Sequence, residues 1–329
     1  MRRACITGGA GFIGSNLADR LRSQGTEVVI IDDFRTGRRE FLEALQRDPG
    51  VTLHEGDVLD GDLLREAFAG CDWIFHLQAN ADVRHGLEHP RHDLEQNTIS
   101  TAGVLEAMRS TGVSKIAFSS TGSVYGEPEV FPTPEDAPFP VQTSLYGASK
   151  LACEGLIAAY AHGFGFTGLA FRFVSILGER YTHGHVYDFY RALKRDPSRL
   201  RVLGDGRQEK SYLYVGDCVS AITTAVEAHD HRSGEFGVYN LGTDETVVVN
   251  DSIAVICSHL GVSPTLEYAG GRRGWAGDSP LIHLDCSRIR QLGWSAQLNI
   301  RQGILRTLAW LDESPYAWAQ PVGTARRAR

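Results

Sequence analysis

The sequence predicts an α/β chain: a doubly wound parallel sheet with a smaller mixed α/β lobe on its C-terminal side. Three observations carry this. Short apolar runs alternate with helical runs through the first half, and that alternation builds a parallel sheet covered on both faces. A glycine-rich turn joins the first strand to the first helix. After Phe173 the pattern becomes irregular and rich in Gly, Tyr, His and Arg, which marks off the second lobe.

Arg3–Thr7 reads as a short apolar strand, and Phe12–Ser23 as a helix. Glu27–Ile31 is a second strand ending in Asp32-Asp33, and Val51–Glu55 a third. Leu63–Phe68 is helical, Trp73–Leu77 a fourth strand, Asn97–Ser110 helical and Lys115–Ser119 a fifth strand. Gly126–Thr143, rich in Pro and Glu, reads as a loop over the sheet edge. Tyr146–His162 is a long helix and Thr167–Phe173 a sixth strand. Tyr212–Ala228, a strand then a helix, and Val238–Leu241 are expected to return to the main sheet. The expected division is therefore 1–173 as the nucleotide-binding unit with 212–242 returning to it, 174–211 and 243–320 as the substrate lobe, and 321–329 as a frayed tail. No internal repeat is present.

The 329 residues are enough for a sizeable core. A net charge of −7 gives no support for nucleic-acid binding, so substrate anions need local cations. No apolar run approaches the roughly 20 residues of a membrane span. The first residues run straight into a strand, so they do not read as a secretion signal. Six scattered cysteines without a C-x-x-C pair point to reduced thiols and a cytoplasmic location, not to zinc or a disulfide framework. His183 and His185 resemble a metal pair, but no third ligand is evident, so no metal is expected.

Gly8, Gly11 and Gly14 are spaced G-x-x-G-x-x-G between a strand and a helix. The first allows a tight turn, the second a close approach to a pyrophosphate, and the third close helix–sheet packing. The helix N-terminus opened by Phe12 and Ile13 then faces the phosphates. Asp32 ends the second strand, 18 residues after Gly14, where it can accept hydrogen bonds from an adenosine ribose. Its charge repels a 2′-phosphate, which favours NAD over NADP, although Arg35 and Arg38 lie close by. Asp57 and Val58 are placed to meet the adenine, unless Asp57 is only a helix cap. Leu77, Gln78 and Ala79 end the fourth strand where a nicotinamide ribose would pass. Tyr146 and Lys150 stand at i,i+4, so both lie on one helix face. The ammonium can lower the phenol pKa toward neutrality, where a phenolate acts as a general base. Alone, this spacing is weak; with the glycine turn it points to redox chemistry at a carbinol.

Together these stretches resemble the extended short-chain dehydrogenase/reductases, and within them the nucleotide-sugar 4-epimerases. The resemblance covers nearly the whole chain, through Thr7–Gly14, Asp32–Gly37, Gly56–Val58, Phe75–Arg84, Ser119–Gly126, Tyr146–Lys150, His183–Phe189 and Leu203–Val215. It implies a Rossmann-type fold, bound NAD, a UDP-sugar substrate and a homodimer through two long helices. It implies Tyr146 as base, Lys150 holding both the phenol and the nicotinamide ribose, and Thr121 donating to the reacting oxygen. It extends the cofactor set to Arg35, Thr36 and Asn97. The 4,6-dehydratases in this group carry Asp-Glu after the Thr; here Gly122 and Ser123 follow, which disfavours dehydration.

One departure bears on the sugar. Neutral-sugar epimerases have Asn where this chain has Ser175, in Arg172-Phe173-Val174-Ser175. A small hydroxyl there resembles the UDP-glucuronate 4-epimerases, and Arg191 stands where those carry a carboxylate-binding Arg. Ser123 could add a third contact. The expected substrate pair is therefore UDP-glucuronate/UDP-galacturonate, with UDP-glucose/UDP-galactose as the alternative. A UDP-glucuronate decarboxylase and a non-catalytic NAD-binding regulator are the remaining readings. For the diphosphate the resemblance implies Lys210 and one of Arg272 and Arg273, upstream of Asp278.

Overall fold

The computed structural model describes residues 1–80, 86, 88–138, 141–274 and 281–315. Six parallel strands, β1 (Arg3–Thr7), β2 (Glu27–Asp32), β3 (Val51–Glu55), β4 (Trp73–His76), β5 (Lys115–Thr121) and β6 (Thr167–Phe173), are joined by Phe236–Leu241 in one sheet. Its order is β3-β2-β1-β4-β5-β6 followed by Phe236–Leu241. β1 registers with β2 from Arg3↔Glu27 to Thr7↔Ile31, and with β4 from Ala4↔Trp73 to Thr7↔His76. The strand interiors are continuously apolar because both faces are covered. Helices Phe12–Ser23 and Val215–His229 bury Leu17, Leu21, Cys218 and Ile222 on one face. Helices Gly61–Phe68, Ser100–Thr111 and Leu145–Phe164 bury Leu64, Phe68, Val104 and Ile157 on the other. The fold is the expected doubly wound, Rossmann-type sheet.

The chain reaches the β3 edge and returns to β4, beside β1. Strand order therefore reverses between β1 and β4, the place where such sheets open a crevice at their carboxyl ends. The smaller lobe has its own core around Val186, Tyr190, Leu200, Ile256 and Ile304, built by helices His185–Arg195, Val249–Leu260 and Ile300–Glu313.

The structure differs from the sequence reading in places. The helix expected from Asn97 begins earlier: Pro90–Asp93 runs through a π-helical turn, Leu94–Ile99, into Ser100–Thr111. At that turn the Asn97 carbonyl accepts from the Thr101 and Ser100 hydroxyls, at 2.7 and 3.1 Å. Tyr212–Tyr214 does not join the large sheet. It pairs in parallel with Ser175–Leu177, a strand the sequence did not reveal. The 321–329 tail lies outside the described residues.

Candidate active site

The crevice begins at the glycine turn. Gly8 has φ +72°, and a Cβ there would stand 2.8 Å from the backbone nitrogen of Gln78, across the strand-order reversal. At Gly14 a Cβ would stand 2.2 Å from the Gly8 carbonyl oxygen, so only glycine lets the helix close on the turn. Gly11 caps the helix in extended backbone, and the first helical turn carries no acidic residue. Its N–H groups are therefore left to an anion. Gly8, Gly11, Phe12, Ile13 and Gly14 all line the crevice.

Asp32, at the end of β2, accepts from the Ala10 N–H through Oδ2 and the Phe34 N–H through Oδ1, both at 2.9 Å. Burial raises its pKa, and the two amides oppose that. A carboxylate has about four acceptor sites, so capacity remains for a ribose. Arg35 is bracketed by acids: Nε lies 2.5 Å from Asp33, and the guanidinium also pairs with Asp57. That pairing answers the doubt over NADP, because the cation closest to the ribose corner is already neutralised. Arg38 is buried, over the Phe41 ring at 5.9 Å. Thr36, Asp57 and Val58 line the crevice; Asp57 also accepts from the Leu59 N–H at 2.9 Å, which combines the turn-capping role with the lining one.

Farther in, Leu77, Gln78 and Ala79 face Ser119, Thr121, Ser123, Tyr146 and Lys150. Ser144 caps the long helix by accepting from the Gly147 N–H at 3.0 Å, which puts Tyr146 in its first turn. Gly147 lets that turn approach β5: a Cβ there would meet the Ser123 carbonyl oxygen at 2.7 Å. Thr121 Oγ1 accepts from the Ser123 N–H at 3.1 Å. Lys150 is fully buried; its Nζ donates to the Ser119 carbonyl at 2.8 Å and lies 4.5 Å from the Phe118 ring centre. Burial pulls the ammonium down to about 8, with Cys153 and Glu154 opposing.

The lowered phenol expected for Tyr146 is not produced by the protein's own groups. Burial raises the Tyr146 pKa, Asp93 adds to the rise, and only the hydrogen bond with Thr121 opposes them ahead of a further rise from Cys153. Lys150 directs one donor to Ser119 and is not among the groups that lower the phenol, so the i,i+4 spacing alone does not tune it. Asn97 is not among the lining residues. It stands behind them, accepting from the Asn80 N–H at 2.9 Å and donating to Ser149 Oγ at 2.8 Å; Ser149 Oγ in turn donates to the Tyr146 carbonyl at 2.8 Å.

The expected sugar-binding residues are scattered. Ser123 and Ser175 line the crevice; Arg191, Lys210, Arg272 and Arg273 are not among its lining residues. Arg191 lies on the Tyr187 ring, 5.3 Å from its centre, and Nη1 donates to the Tyr187 hydroxyl at 3.0 Å. Its Nε is buried without a hydrogen-bond partner among the described residues. Lys210 lies in the strand Glu209–Lys210, paired in register with Ile282, and Ile282 lines the crevice. Arg272 is exposed, and Arg273 pairs with Glu127. Asp278 lies outside the described residues. The sequence reading missed Tyr181 and His183, which stack at 6.2 Å and line the same wall as Ser175. His183 had registered as half of a metal pair and as the start of a family-like stretch, with no role in the crevice; His185 is held by Tyr212 and Ser252. No cluster of three potential metal ligands occurs among the described residues.

The chain is similar to known proteins along most of its length. The description "NAD dependent epimerase/dehydratase family" matches residues 4–242. The UDP-glucose 4-epimerase of Mycolicibacterium smegmatis is 32% identical over 314 residues, covering 93% of this chain and 97% of that one. A crystal structure of a UDP-galactose 4-epimerase is 36% identical with a TM-score of 0.84, covering 94% of this chain and 99% of that one. The UDP-glucuronic acid 4-epimerase from Bacillus cereus, in complex with UDP-glucuronic acid and NAD, is 25% identical with a TM-score of 0.86, covering 94% and 99%. With its glycine turn, its Asp32 and its match through both, the chain belongs to the NAD-dependent epimerase/dehydratase family, and NAD is its cofactor.

Proposed function

We propose that this protein is a UDP-sugar 4-epimerase that inverts C4 through a transient 4-keto sugar. The observation that carries the reading is the meeting of Thr121, Tyr146 and Lys150 in one crevice with the glycine turn and Asp32. Gly8, Gly11, Gly14 and the first turn of the Phe12–Ser23 helix would hold the pyrophosphate, Asp32 the adenosine ribose, and Lys150 the nicotinamide ribose. When bound there, NAD⁺ would supply a hydride acceptor and, once reduced, a hydride donor, and the positive charge of its ring would oppose the rise in the Tyr146 pKa.

In this reading the Tyr146 oxygen takes the proton of the C4 hydroxyl and later gives it back. Thr121 donates to the same oxygen and holds it at the phenol. Lys150, fixed on Ser119 through one donor, would turn the other two to the nicotinamide ribose. The intact set argues against a non-catalytic regulator, and Gly122 with Ser123 after Thr121 supplies no carboxylate for dehydration. Lys210 and one of Arg272 and Arg273 would be the cations for the diphosphate; Arg273 is already paired with Glu127.

Ser123 and Ser175, both on the crevice wall, support UDP-glucuronate as the preferred sugar, with the open Nε of Arg191 as its third group. Its keto intermediate is a β-keto acid, and fixing the carboxylate out of line with the carbonyl π system would suppress loss of CO₂. One observation favours the neutral pair, UDP-glucose and UDP-galactose: Arg191 rests on Tyr187 instead of lining the crevice. Incubation with each sugar nucleotide, without added cofactor and followed by NMR, separates the two. UDP-galacturonate formed with little reaction of UDP-glucose supports the uronate; preferential UDP-galactose selects the neutral sugar; UDP-xylose would mean decarboxylation.

The reading includes a cytoplasmic homodimer. It is supported by a shallow apolar groove on the outside of the Tyr146 helix, lined by Ala148, Leu151, Ala152, Gly155 and Ala158, and by six unpaired cysteines. Among the described residues, no helix is long and apolar enough to cross a membrane.

A further inference from the structure

Behind the reacting groups lies a charged network that the mechanism above does not use. Glu154 stands one helical turn beyond Lys150, with its side chain 4% exposed. Arg172 of β6 grips it with two bonds, Nε to Oε1 at 3.0 Å and Nη2 to Oε2 at 2.7 Å. Oε1 also accepts from the hydroxyl of Ser120, the residue before Thr121. The remaining Nη1 of Arg172 donates to the Tyr125 hydroxyl at 2.7 Å and to the Glu135 carbonyl at 3.0 Å. Tyr125 in turn donates to Asn240 Oδ1 at 2.7 Å. Every nitrogen of the guanidinium is thus engaged.

A buried ion pair returns little stability, because desolvation consumes most of the attraction. Its geometric effect is larger. The helix that holds Glu154 carries Tyr146 and Lys150; β5, which holds Ser120, ends at Thr121; β6, which holds Arg172, leads into Ser175. We propose that Glu154 and Arg172 are a positioning pair, which locks the Tyr146–Lys150 turn to the ends of β5 and β6 and keeps the three reacting side chains in register through turnover. The inference rests on the reading of Thr121, Tyr146 and Lys150 as the reacting set.

The pair also has an electrostatic consequence. Lys150 is faced by His76 from β4, by the Phe118 ring and Ser119 carbonyl from β5, and by Cys153 and Glu154 from its own helix. Burial holds His76 down at about 3, so it is neutral. Glu154 is the anion in that set, and it supports the Lys150 charge against burial. Glu154 itself is faced by Ser120 and Arg172.

The test uses the NAD-loaded enzyme and whichever sugar nucleotide the parent protein turns over. In Glu154→Gln, kcat should fall about tenfold or more while KM stays within about threefold. The alkaline limb of the kcat–pH profile should move down by roughly half a unit or more, because the anion that supports the Lys150 charge is gone. Glu154→Asp, which keeps the charge, should restore the limb. A kcat within about twofold of the parent with the limb unmoved would overturn the pair's role, as would a loss that follows thermal stability alone and leaves the limb in place. If Glu154→Gln does not fold, the double variant Glu154→Gln/Arg172→Met leaves no orphaned charge and decides the matter: a kcat loss of about tenfold at parental KM supports the pair, and a kcat within about twofold overturns it. If the parent inverts neither UDP-glucose nor UDP-glucuronate, the functional reading has failed and the inference falls with it; an active parent with unmoved variants sinks the pair alone.

Discussion

Lys150 donates to the Ser119 carbonyl at 2.8 Å and, for want of water around it, is pulled down to about 8. A lysine lowered in this way is protonated below that pH and loses its charge above it. Turnover that needs the ammonium should therefore hold near pH 7 and fall as pH rises through about 8, well below the ordinary lysine range. A kcat–pH profile on the NAD-loaded protein checks this. Lys150→Met should remove the limb along with most of the activity.

Tyr146→Phe removes the proposed proton acceptor and keeps the ring packing. Loss of general acid–base catalysis typically costs about 10²–10⁴ in rate, and kcat should fall within that range while bound NAD is retained. Unchanged turnover would take Tyr146 out of the base role.

The cofactor loop and the pair at i,i+4 were legible because their information is local. Glycine spacing at Gly8, Gly11 and Gly14 and one helical turn between Tyr146 and Lys150 need no knowledge of the rest of the chain. Most strands were legible for the same reason: each is a bounded apolar run. What could not be read depends on distant partners. Tyr212–Tyr214 has the composition of a sheet strand, yet it pairs with Ser175–Leu177. The Tyr146 pKa follows from burial and from Asp93, which is 53 residues away in sequence. Nothing local to Glu154 or Arg172 announces their pairing, which forms only when the long helix packs on β6.

Gly14→Ala should abolish cofactor retention, since its Cβ would stand 2.2 Å from the Gly8 carbonyl oxygen and backbone cannot yield cheaply there. Releasing NAD by heat denaturation and assaying it would show at least about tenfold less per chain than the parent, the loss expected from about 1.4 kcal/mol or more of weakened binding.

Arg35 is neutralised by Asp33 and Asp57. Replacing both acids, Asp33→Asn with Asp57→Asn, frees the guanidinium for a 2′-phosphate. The ratio of NADP to NAD affinity should rise about tenfold, the effect of one gained charge-assisted contact, as measured by titrating the cofactor-stripped protein with each dinucleotide. An unmoved ratio would show that Asp32 alone excludes the phosphate.

His76 is buried between the Thr7 and Thr101 hydroxyls, at 2.7 and 3.0 Å, and is held down at about 3. Unfolded, it binds a proton from about pH 6.5 downward. Between those values the unfolded state holds more protons, so stability falls as pH falls, by on the order of 5 kcal/mol across the whole window for this one group. Urea melts from pH 7 to pH 4 should show a steep loss of unfolding free energy for the parent and a shallower one for His76→Asn.

The most direct test of C4 inversion follows an isotope. The protein, with its bound NAD and nothing added, is given UDP-glucose and UDP-glucuronate in turn, each deuterated at C4, in ordinary water. Inversion through a transient ketone held beside the cofactor leaves the deuterium on C4 of the epimer. Epimer without deuterium at C4, or no epimer from either sugar, would contradict it.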